Sequence, residues 1–179
     1  MNFLELAARR QSTRKYEPGR RIPRVVLERC LEAARLAPSA CNSQPWSFVV
    51  ADTPETVRAL AEAACTQVPY GMNKFARDAS AIVAVVTEKM KLAARLGAQI
   101  RGVQYSLVDI GIAGEHLVLQ AAEEGLGSCW IGWFDERAAQ RVLGIPRAKK
   151  IELLITLGYP AEDVARPKNR KPLDEIRRY

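Results

Sequence analysis

Arg10, Ser12 and Arg14 stand two residues apart within RRQSTRK (9–15). On an extended segment that spacing projects all three side chains to one side. Two guanidiniums and a hydroxyl so placed can grip a phosphate and a second electron-rich group through charge-assisted hydrogen bonds. The same residues also suit a solvated basic loop. A second candidate is Ala37-Pro38-Ser39-Ala40-Cys41-Asn42-Ser43-Gln44-Pro45-Trp46. Its prolines bracket small and amide side chains, giving a stiff, hydrogen-bonding connector that positions a ligand or simply joins helix to strand. A third is Gly125-Leu126-Gly127-Ser128-Cys129-Trp130-Ile131-Gly132-Trp133, where glycines beside a strand admit close backbone approach to a flat ligand, or cap a helix ahead of a core strand. In the fourth, Gly158-Tyr159-Pro160 is followed by Lys168 and Arg170, two cations able to close over an anion or to fray into solvent.

Composition narrows the classes. The 179 residues carry a formal net charge of +7, gathered near the two ends in 9–15 with 19–21, and in 166–171 with Arg177 and Arg178. Such a balance favours anionic partners, nucleic acid first among them. A nucleic-acid module would use aromatic or helix-borne basic stripes, and only 7% of the residues are aromatic. His116 is the only histidine, which excludes any mechanism needing two; within HLVLQAA it reads as a structural helix residue. Cys30, Cys41, Cys65 and Cys129 form no C-x-x-C pair, so no metal site is expected, and they read as buried reduced thiols. No apolar stretch approaches the roughly 20 residues that span a bilayer. The start has neither h-region nor cleavage site, so a cytoplasmic address is expected.

Several elements must position these groups. Asn2 caps a helix over 3–10, and Pro23 opens another over 24–36 that Pro38 stops. Strands are expected at 46–51, 81–87, 128–133 and 150–157, with helices over 54–65, 89–101, 105–124 and 135–143. In the longest helix Ile110, Ala113, Leu117 and Ala121 form a near-heptad stripe, either core or a partner's surface. No strand leads into G-x-G-x-x-G, which disfavours a Rossmann fold. The simplest architecture is a three-layer α+β domain over 1–179 around a mixed sheet, with tails that pack on a partner subunit.

Taken together, RRQSTRKY, APSACNSQPWSFVV, DIGIAGEHLVLQAAEEGLGSCWIGWF and LGYP…PKNRKPLDEI resemble the nitroreductase family of oxidoreductases that use flavin mononucleotide (FMN). The resemblance implies an intertwined homodimer with FMN in the groove between subunits. Arg10 and Ser12 would then hold the phosphate and ribityl end, with Lys168 and Arg170 completing the phosphate site. Arg14 would face the pyrimidine edge and stabilise charge near N1 and O2. Pro38, Ser39 and Asn42 would reach the isoalloxazine from the other subunit, and backbone groups at Ile131 and Gly132 would meet N5 and O4. Asn73 and Lys74 match an Asn and a Lys that family members often carry near the flavin. The segment 89–101 is shorter than the lid of larger members. The implied reaction takes hydride from NAD(P)H to flavin N5 and on to a small nitroaromatic or quinone acceptor, in ping-pong order, with no protein side chain acting as a catalytic group. Flavin destruction, dehalogenation and dehydrogenation of heterocycles occur on similar scaffolds, and their discriminating residues would fall in 66–104.

Overall fold

Asn2 accepts the Glu5 amide at 2.9 Å and donates its own amide to the Glu5 carboxylate at 3.0 Å, a reciprocal cap that starts α1 (Phe3–Arg9). From there the computed structural model describes residues 2–65, 71–162 and 166–179. The order continues α2 (Arg24–Arg35), β1 (Trp46–Ala51), α3 (Pro54–Cys65), β2 (Ala81–Thr87), α4 (Leu92–Arg101), α5 (Tyr105–Glu123), β3 (Gly127–Ile131), α6 (Glu136–Leu143), β4 (Lys150–Gly158) and a short α7 (Leu173–Ile176). Two 3-10 turns, at Ala40–Asn42 and Lys74–Asp78, had no counterpart in the sequence periodicity because one turn is too short to show a period.

The sheet order is β1-β2-β4-β3, and each neighbouring pair runs antiparallel. Among the described residues the parallel pairing is a single bridge, Ser12 to Ser128, so the sheet is mixed only at its β3 edge. β2 explains the layering. Its run AIVAVV is buried throughout, because both faces are covered. Ile82, Ala84 and Val86 pack with α3 and α6 residues such as Leu60 and Ala139, whereas Ala81, Val83 and Val85 pack with α2 and α5 through Leu27, Ile110 and Leu117. Burying each such Val or Ile contributes about 1.5–3 kcal/mol.

The α5 stripe Ile110, Ala113, Leu117 and Ala121 is core, at 1% exposure or less. His116 on the adjoining face meets the Ala33 carbonyl through Nδ1 at 3.2 Å and ties α5 to α2. All four cysteines are free, and Cys30 and Cys129 are buried as expected, but Cys65 is only half-buried and Cys41, in the α2–β1 loop, is exposed. No helix among the described residues is long and apolar enough to cross a membrane.

Candidate functional site

Arg10 ends α1 and the chain then runs extended along the edge of β3. Thr13 donates its amide to Ser128 O at 2.8 Å, Glu17 donates to Tyr159 O at 2.9 Å, and Ala161 donates to Lys15 O at 3.1 Å. Thr13 is buried over Gly127, and Tyr16 is buried over Gly158, where any Cβ would meet the ring at 2.7 Å. Ser12 beside them is half-buried, and Arg14 and Lys15 between them are exposed. The Tyr16 hydroxyl lies 2.7 Å from Thr156 Oγ1, which itself donates to Cys129 O at 3.2 Å. With the Thr156 proton committed, Tyr16 must be the donor. Burial pushes the Tyr16 phenol far above its ordinary range, so it stays a neutral anchor.

The C-terminal tail returns across this segment from more than 150 residues away in sequence. Arg166 donates through its amide and Nε to Gln11 Oε1 at 3.1 and 3.2 Å, and through Nη2 to Ser12 O. Lys168 Nζ donates to Arg10 O. The result is a cleft of about 330 Å³ lined by Arg10, Gln11, Ser12, Arg166, Lys168 and Arg170 among others. Burial, then the charges of Arg10 and Arg170, hold the Lys168 ammonium below the usual lysine range; Glu115 opposes this. Arg10 Nε stands 3.3 Å from Glu115 Oε1, yet it is buried without a hydrogen-bonded acceptor because the carboxylate is not aligned with it. Four cations, one carboxylate and an orphaned buried N–H fit a dianionic phosphate.

The remaining sequence candidates sit elsewhere. Arg14 places its guanidinium carbon 6.0 Å from the centre of the Phe75 ring. Burial raises the Cys129 thiol, while Arg14, Ser12 and Arg166 pull it back, which puts all three near the β3 edge. Ile131 is buried at the end of β3, and Gly132 is exposed just past it with open space where a Cβ would stand. The following turn is clamped by Asn73, whose Nδ2 donates to Ala64 O at 2.8 Å and Trp133 O at 2.9 Å. Asn73 therefore uses its amide donors within the protein, and Lys74 is exposed beside it.

Pro38, Ser39 and Asn42 do not line the phosphate cleft. They belong to the α2–β1 loop, where Ser39 Oγ accepts the Gln44 amide and Asn42 Oδ1 accepts Gln44 Nε2, both at 2.9 Å. Asp109 on α5 accepts the Ala40 amide there, and Glu115 on the same helix meets Arg10. Six residues of α-helix turn by about 240°, so the two groups of candidates are served by different faces of α5.

Sequence reasoning passed over Gln11, Arg166, Glu115 and Asp109. Arg166 had a signal, as the first member of the basic run 166–171. Asp109 had a fainter one, a lone acid between Val108 and Ile110. Glu115 and Gln11 had none, since their roles arise only from packing.

The α+β fold that carries this basic cleft at its β3 edge is that of the nitroreductase-type oxidoreductases. The profile described as "Nitroreductase family" matches residues 7–159, and the chain belongs to that family. A NADH dehydrogenase of Thermus thermophilus is 34% identical over 95% of this chain and 92% of its own. The crystal structure of a nitroreductase family protein from Streptococcus pneumoniae superposes with a TM-score of 0.81 at 28% identity, covering 99% of this chain and all (100%) of that one. An FMN-dependent nitroreductase from Clostridium difficile superposes at 0.71 with 25% identity, covering 97% of this chain and 94% of that one.

Proposed function

We propose that residues 1–179 form one FMN-binding domain that takes hydride from NAD(P)H and passes it to a small oxidised acceptor of the nitroaromatic or quinone type, working as a homodimer. FMN, when bound, supplies hydride acceptance and donation at its N5, first from the nicotinamide and then to the acceptor. The observation that carries the reading is the clasp of both charged termini around one cleft, with Arg10 Nε buried and unsatisfied.

The chain's own groups divide the work. Arg10, Arg166, Lys168 and Arg170, which line one cleft, would hold the phosphate, with the Ser12 hydroxyl beside it. Arg14 would set a fixed positive charge toward the flavin's pyrimidine edge, where it would favour the reduced, more negative form. Gly132 leaves the backbone beyond Ile131 open to the ring edge, without a side chain in the way. Pro38, Ser39 and Asn42 of the partner subunit close the other side. Support for the dimer comes from an apolar groove of about 620 Å³ along α1, α2 and α5, lined by Phe3, Leu6, Leu36, Ile112, His116 and Leu119 among others. Phe3 and Leu36 in its lining are 65% exposed or more, and large exposed apolar surface of this kind marks a protein interface.

The test is optical. Purified protein loaded with FMN should be yellow, should bleach under anaerobic NADH or NADPH, and should regain colour when a nitroaromatic or a quinone is added. A protein that takes up no FMN, or whose bound flavin neither nicotinamide reduces, would overturn the proposal.

A further inference from the structure

The α2–β1 loop holds every non-glycine residue with positive φ among the described residues: Cys41 at 52°, Asn42 at 51° and Gln44 at 47°. Asparagine visits this region readily, but cysteine and glutamine do not. Backbone strain of this kind persists only where the surroundings over-determine it, and it gathers at functional sites. Most of the restraint comes from within the loop, through Ser39, Asn42 and Gln44. The anchor from the core is Asp109. Its side chain is on a residue only 3% exposed, and both carboxylate oxygens accept the Ala40 amide, at 3.1 and 3.2 Å. No cation pairs with Asp109 among the described residues. A carboxylate buried for a single backbone amide is expensive unless holding that amide matters.

We infer that Asp109 is a positioning residue that locks the 38–44 loop in its left-handed form, so that Pro38, Ser39 and Asn42 present a fixed surface to the flavin ring. The inference rests on the flavin reading above for the loop's purpose, and on geometry alone for the lock. Both oxygens face one N–H donor, so Asp109→Asn keeps an acceptor for Ala40 whereas Asp109→Ala removes it. Ala40→Pro deletes the same bond from the loop side without touching α5. Proline suits that position, because Ser39 before it is extended (φ −148°, ψ 156°) and residue 40 opens a turn.

The experiment is hydrogen exchange on the FMN-free protein, followed by visible circular dichroism and FMN titration. Asp109→Ala and Ala40→Pro should each speed exchange in peptides covering 38–46 by about tenfold or more while β2 peptides keep the wild-type rate. With FMN, both variants should lose the induced flavin dichroism that Asp109→Asn retains, and should bind FMN about tenfold more weakly. If loop and β2 exchange rise together, Asp109 only stabilises the fold and the inference fails. Equally, unchanged loop exchange in Ala40→Pro would sink it, even if Asp109→Ala does not fold. Should no protein in the series take up FMN, the flavin reading falls while the exchange measurement still decides the lock.

Discussion

Replacing Gly127 with alanine tests how the N-terminal segment is seated. A Cβ at this position lands 2.5 Å from Thr13 Oγ1 and 2.7 Å from its Cβ and Cγ2. Non-bonded carbons rest at about 3.5–4.0 Å, so Thr13 must retreat by about 1 Å. Thr13 is 8% exposed, and its amide bond to Ser128 O is 2.8 Å long. A retreat of that size stretches the bond beyond hydrogen-bonding range. Losing it costs about 1 kcal/mol, and overpacking adds about 1–3 kcal/mol, so Gly127→Ala should destabilise by about 2–4 kcal/mol. Ser12 and Arg14 flank Thr13 and move with it, so FMN affinity should fall by at least about tenfold, the worth of one charge-assisted bond. The matched control is Gly97→Ala in α4, where a new Cβ meets nothing within 4 Å. Alanine there should stabilise by about 0.5–1 kcal/mol and leave FMN binding alone. Urea unfolding of the FMN-free proteins and flavin fluorescence quenching would measure both effects. If Gly127→Ala unfolds at the wild-type urea concentration and binds FMN equally well, close contact with Gly127 does not place the segment.

Arg14→Ala should lower the reduction potential of bound FMN and slow its reduction more than it weakens FMN binding; an unchanged potential in reductive titration would remove Arg14 from that role. Lys168 makes a pH prediction. Its folded pKa lies below the unfolded lysine value, so between the two the unfolded chain binds more protons and its contribution to stability grows as pH rises. Urea melts from neutral pH toward about 10.4, the ordinary lysine value, should show this gain, and Lys168→Met should flatten it. Inorganic phosphate in the cleft should raise the melting temperature of wild type at neutral pH and do so much less in Lys168→Met. An equal shift in both would place the phosphate somewhere else.

Most elements were legible because their periods are local. Helices α2, α3 and α6 and all four strands lie within two residues of the positions expected from apolar spacing, caps and glycines. β2 was readable as buried on both faces from its unbroken AIVAVV alone. What periodicity could not convey was strand direction and order. β1 and β3 lie at opposite edges of an antiparallel sheet, a choice settled by which faces α2, α3, α5 and α6 cover.

The residue types for an anion site were present in the sequence by themselves: arginines and a serine two apart near one end, and a lysine and an arginine two apart near the other. Their spacing implied that Ser12 and Arg14 would share a side, but Ser12 lines the cleft while Arg14 lies toward Phe75. Only the tertiary structure brought Lys168 to the Arg10 carbonyl, enlisted Gln11, Glu115 and Arg166, and left Arg10 Nε without an acceptor. Likewise a lone aspartate on a helix became the anchor of the Ala40 amide only when α5 packed beneath the loop. The physical reason is range. Dihedral preference and side-chain alternation act over a few residues, whereas desolvation and charge act over a few ångströms of space, and the fold alone decides which residues those ångströms contain.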